Sequence, residues 1–116
     1  MNRYKELKVW KESMEVTTMI YEVTDNFPAD ERFGLTSQIR RASVSIPSNI
    51  AEGAGRNSDG EFRQFLGIAN ASACELETQL NIASRLGLID SELFSTLSDR
   101  IEHIQNMIFK LKQKLN

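Results

Sequence analysis

Chemistry-bearing residues are few in this chain, and their spacing argues against most catalysis. His103 is the single histidine. It stands near Glu102 and Gln105 on the polar side of a helical pattern, which reads as a solvent-facing ring rather than a general base or ligand. Cys74 is the single cysteine. One thiol excludes an internal disulfide framework and a multi-cysteine metal centre. Its place between Ala73 and Glu75, in a run of small residues, reads as a packed thiol. Glu75 and Glu77 cannot act as a carboxylate pair, because positions two apart on a helix point away from each other. The repeated inward Glu-x-x-His pairs of di-iron bundles are missing. Gly53-Ala54-Gly55-Arg56 lacks a preceding strand and a lysine-serine or lysine-threonine ending, so it reads as a turn and not a phosphate loop. No catalytic residue, metal or cofactor is expected, and the chain does not read as an enzyme.

Asn49, Glu52, Glu75 and Gln79 form a second polar group, the first two near Pro47 and the others on the next helix. Buried polar groups must be paired, so a structural hydrogen-bond network is expected here. Asn49 and Glu52 are placed to repair the backbone that Pro47 frees.

Charge distribution is more suggestive than its total of −2. In an up-down bundle the start of the first helix, the end of the second, the start of the third and the end of the fourth share one pole. That pole collects Arg3, Lys5, Lys8, Lys11, Arg56, Arg63, Lys110, Lys112 and Lys114. Against these nine stand Glu6, Glu12, Glu52, Asp59 and Glu61, leaving four excess positive charges on an acidic protein. Such a pole suits a phosphate backbone. The plainer account is that lysines at a helix C-terminus complement its dipole.

The elements that must position these residues are helices. The first runs from about Tyr4 to Asp25 and carries two stripes, one of Leu7, Trp10, Met14 and Tyr21, the other of Val9, Val16, Ile20, Val23 and Phe27. Together they exceed the roughly 100° needed to face one core. Pro28 suits the first position of the second helix, with Asp30 and Glu31 at its positive end. Leu35, Ile39, Ala42, Ile46 and Ile50 carry that helix through Pro47, which removes a backbone donor and should kink it at a cost of about 3 kcal/mol. It stops at Gly53-Ala54-Gly55, where glycine permits a left-handed cap. Ser58-Asp59-Gly60-Glu61 has capping-box spacing and starts the third helix, which Gly87 ends. Asp90 caps the fourth, whose seam is Leu93, Leu97, Ile101, Ile104, Ile108, Leu111 and Leu115. The expected fold is all-α: one domain, residues 1–116, an antiparallel up-down-up-down four-helix bundle with a proline kink in helix 2.

At 116 residues, 41% hydrophobic and 26% charged, the composition is that of a globular domain. No signal-peptide core or membrane-length run is present, so a cytoplasmic protein without membrane contact is expected.

With the helices placed, the chain resembles the four-helix bundle family named after the 23S rRNA intervening-sequence protein. The resemblance rests on Leu7–Lys11, on Phe27-Pro28 with Glu31–Leu35, and on Ser37–Ala42. It also rests on Ser45–Gly53 followed by Arg56, on Phe62–Ala69 and on Glu75–Leu80. Ala71 departs from it, standing where members often carry glycine before the residue matched by Ser72. The resemblance implies a bacterial protein, an antiparallel bundle and a homopentameric ring of mostly undefined role, with no catalytic residues to transfer. A related branch, the accessory protein of diversity-generating retroelements, is a basic pentamer that associates with a reverse transcriptase and nucleic acid. This acidic chain departs from that branch in charge.

Different apolar patches meeting head to tail close a ring, and Val9, Val16, Ile20 and Ile68 are the expected contacts. Two functions compete. One is a non-enzymatic oligomeric scaffold binding RNA or a ribonucleoprotein through the basic pole. The other is a protein–protein adaptor with no nucleic-acid contact.

Overall fold

The structure is a computed structural model that describes residues 3–115. After one 3-10 turn, Tyr4–Glu6, come four helices: α1 Lys8–Thr24, α2 Leu35–Ala54, α3 Asp59–Arg85 and α4 Ser91–Gln113. No strand occurs among the described residues. The molecule measures 44 × 24 × 20 Å, the long axis set by the 27 residues of α3 at about 1.5 Å each.

Contacts between neighbouring helices fix their sense. Thr17 meets Ser43 and Thr24 meets Arg40. Ser45 meets Ser72, and Gly53 meets Phe65. Arg63 meets Leu115, and Cys74 meets Gln105. Numbers rise on one helix as they fall on the next, so successive helices run in opposite directions. One core spans all four: Ile20, Ile39, Ile46, Ile50, Leu66, Leu76, Leu80, Leu97, Ile101 and Ile104 are fully buried.

The helix ends follow local chemistry. Ser58 Oγ accepts from the Glu61 amide and donates to the Glu61 carboxylate. Asp90 accepts from the Leu93 amide at 2.7 Å. Gly87, at φ +77°, closes α3. The Gly87 and Leu88 amides reach back to the Ser84 and Ala83 carbonyls, which satisfies two otherwise orphaned acceptors.

Several expectations need correction. Pro28 opens only a 3-10 turn, Ala29–Glu31, and α2 proper begins at Leu35. The left-handed cap expected at Gly53–Gly55 is not used, since Gly55 closes α2 at φ −84°. Gly53 serves closeness instead: a Cβ there would stand 2.6 Å from Phe65 Cβ. α2 is continuous through Pro47, and neither Asn49 nor Glu52 supplies the missing donor. The Ser43 carbonyl, which a residue other than proline at 47 would have paired, accepts from Thr17 Oγ1 of α1 at 2.9 Å. The four polar residues make no single network. Asn49 binds Ser45, Glu52 pairs with Arg56, and Gln79 Oε1 is buried without a partner.

The two stripes of α1 also exchange roles. Val9, Val16 and Ile20 are 3%, 1% and 0% exposed and belong to the core. They therefore cannot be contacts between copies. Trp10 is half-buried, and Met14 and Tyr21 face outward, Met14 with Val44 of α2 in the same groove. Ile68 is 43% exposed on α3 and keeps its candidacy. Cys74, expected to be packed, is exposed and accepts from Gln105. Among the described residues no helix is long and apolar enough to cross a membrane.

Candidate nucleic-acid interface

The nine basic residues of the expected pole divide by what holds them. Arg3 pairs with Glu6 at 3.7 Å, and Lys5 lies over the Tyr4 ring. Tyr4 in turn meets Trp10 edge-on at 5.3 Å, which seats the first turn on α1. Arg56 pairs with Glu52 at 3.0 Å and stacks on Phe65. Arg63 donates to the Leu115 carbonyl at 2.9 Å. Lys112 is half-buried with its amine beside Gly67. Arg63 and Lys112 are half-buried on the bundle surface, whereas Arg3, Lys5 and Arg56 stay exposed with local partners that hold them only weakly.

Lys8, Lys11, Lys110 and Lys114 remain. All four are exposed, and among the described residues none meets a carboxylate at ion-pairing distance. Three of them share one feature. Lys8 of α1 with Lys110 and Lys114 at the end of α4 rim a cleft of about 420 Å³. Leu7, Val9, Met107 and Leu111 form its apolar floor. Lys110 and Lys114 are one turn apart, roughly 6 Å along the axis. They also sit at the negative end of α4, where cations are favoured. Helix register alone accounts for two of the three lysines, and the antiparallel neighbour brings the third.

Tertiary fixation elsewhere is polar and local. Arg100 of α4 reaches Glu12 and Glu15 of α1 at 3.2 and 3.4 Å. Arg40 joins Thr24 and Asp25 and stacks on Tyr21. A second groove, between α2 and α3, is lined by Gln38, Arg41, Ala42, Ser45, Glu75 and Gln79. Arg41 and Glu75 are exposed there and form no ion pair among the described residues. The described residues hold no cluster of three or more metal-ligating side chains.

The family profile described as 23S rRNA-intervening sequence protein matches residues 5–110. The chain belongs to that family. A crystal structure of a protein of unknown function from the S23 ribosomal protein family, from Bacteroides thetaiotaomicron VPI-5482, has the same fold. It gives a TM-score of 0.85 at 24% identity, over 91% of this chain and 96% of that one. No curated protein matches.

In this member of the 23S rRNA-intervening sequence protein family, most of the recognisable segments are occupied with packing. Ser45–Gly53 holds the Ser45–Ser72 hydroxyl contact of 2.8 Å, the Asn49–Ser45 bonds and the close approach of Gly53 to Phe65. The four remaining lysines lie outside that stretch, Lys8 and Lys11 in the Leu7–Lys11 segment and Lys110 and Lys114 at the end of α4. Sequence reasoning collected them but could not separate them from Arg63, whose partner is 52 residues away.

Proposed function

We propose that the protein is a non-catalytic, homo-oligomeric helical scaffold that carries RNA on its basic pole. The observation behind this is the cleft rimmed by Lys8, Lys110 and Lys114, three ammonium groups that meet no carboxylate among the described residues, on a chain of net charge −2. Phosphate neutralised by lysine releases counterions, so even a few such contacts give sequence-independent binding. A ring would multiply one weak contact into useful avidity.

Self-association is supported by two outward apolar features on different helices. One is the α1–α2 groove around Trp10, Met14, Val44, Pro47 and Ala51. The other is the α3 row of Ile68, Ile82 and Leu86, 43%, 45% and 60% exposed. Two unlike patches suit a head-to-tail ring, the pentamer that the resemblance implies, better than a two-fold dimer.

The test is retention of RNA by the intact protein at about 50 mM salt, with loss of retention as salt rises. Lys8→Ala/Lys110→Ala/Lys114→Ala should abolish it while the helical signal stays unchanged. An unmutated protein that retains no RNA under these conditions leaves the adaptor reading, for which the unpaired Arg41 and Glu75 of the α2–α3 groove are the surface to pursue.

A further inference from the structure

We infer that the cleft between α1 and α4 takes an unstacked base of single-stranded RNA, with Lys8, Lys110 and Lys114 on the flanking phosphates. The inference rests on the RNA reading above and narrows it to one form of the polymer. If charge alone were at work, the lysines would serve as well over polar ground. Here they surround Leu7, Met107 and Leu111, three half-buried apolar side chains that a phosphate cannot satisfy. The cleft's 420 Å³ lies at the small end of the roughly 300–1,000 Å³ of ligand pockets.

Charge and apolarity together select the occupant. A duplex presents phosphates but keeps its base faces stacked inside, so the floor would stay wet beneath it. A single strand can turn a base out, and every base has an apolar face that stacks without regard to sequence. Met107 adds a polarizable sulfur, which is favourable against a ring. A peptide of acidic residues alone would meet the lysines and again leave the floor empty.

The experiment measures binding of three RNA ligands of equal length to the intact protein at about 50 mM salt. These are a mixed-sequence single strand, the same strand with abasic sugars, and a blunt duplex. The natural strand should bind about fivefold more tightly than the abasic one, the low end of what one stacked base is worth, and more tightly than the duplex. Met107→Ala should weaken the natural strand and leave the abasic strand unchanged, with folding checked by circular dichroism. Equal affinity for all three ligands overturns the base-in-cleft inference and leaves the RNA reading standing. Binding of none overturns the RNA reading and this inference with it. Displacement of the natural strand by polyglutamate at equal charge also overturns it.

Discussion

The hydroxyl of Thr17 lies 2.9 Å from the carbonyl oxygen of Ser43, the acceptor that Pro47 leaves without a helical donor. The same hydroxyl is 2.9 Å from the Ser13 carbonyl. Ser13, however, is four residues before the Thr17 amide of its own helix, whereas the residue four after Ser43 is Pro47, which has no amide hydrogen to give. The proline of α2 is thus tolerated because α1 supplies the missing proton from across the interface.

That pairing sets up a double-mutant cycle. Thr17→Val keeps the shape and strands the Ser43 carbonyl, so it should cost about 1–3 kcal/mol. In a Pro47→Ala background the helix regains its own donor, and the same change should cost only a few tenths. Urea denaturation at fixed protein concentration reads both, and equal costs in the two backgrounds would remove Thr17 from the role.

Gly53 and Gly67 should respond oppositely to alanine. At Gly53 the new methyl meets Phe65 Cβ at 2.6 Å and Phe62 at 3.0 Å, contacts with no room to give, so a loss of about 1–3 kcal/mol is expected. At Gly67 the nearest atom is the Lys112 amine at 3.8 Å. Alanine there should stabilise α3 by roughly 0.5–1 kcal/mol. Thermal melts of the two variants decide the matter.

Assembly and folding should separate by stripe. Ile68→Asp and Met14→Asp place charges at positions 43% and 42% exposed and should yield folded but smaller species in sedimentation. Val16→Asp buries a charge at a position 1% exposed and should prevent folding. Folded Ile68→Asp and Met14→Asp proteins that sediment like the parent would remove both patches from the assembly.

The lysines should be visible in salt dependence. Each lysine neutralising a phosphate of a single strand contributes about 0.7 to the slope of log affinity against log salt. Removing Lys8, Lys110 and Lys114 together should flatten it by about 2. Arg63→Ala should act mainly on stability, by about 1 kcal/mol, less than a fully buried charged bond because the site is partly wet. A triple variant with an unchanged slope would place the contact elsewhere.

Helix existence and most ends were legible in local chemistry: Ser58, Gly87 and Asp90 cap as their spacing suggests. The facing of α1 was not. Its inner stripe includes Ser13 and Thr24, which look unsuited to a core. Both are buried because their hydroxyls return to the Val9 and Ile20 carbonyls, at 2.6 and 2.7 Å, which removes the polar penalty. Trp10, Met14 and Tyr21 have the more apolar look and lie toward the outside. The candidate site was half legible. Counting charges gathered the basic residues, of which Lys8, Lys110 and Lys114 line one cleft, but which cations are held depends on tertiary partners such as the Leu115 carbonyl.

The seams of the bundle are unequal. Between α2 and α3, small side chains bring two backbones together with a glycine against a phenylalanine and one hydroxyl against another. Between α1 and α4 the polar ties above the shared core are long side chains, Arg100 to Glu12 and Glu15, and below them the cleft lies open. Ion pairs of that kind weaken in salt, while dry contacts do not. The molecule should therefore breathe like a book, with α2–α3 as the binding and α1 lifting from α4 as the page. Amide exchange should be slowest along the binding. Any guest seated between the lysines closes the page, so occupancy itself would slow exchange in α1, far beyond the residues it touches.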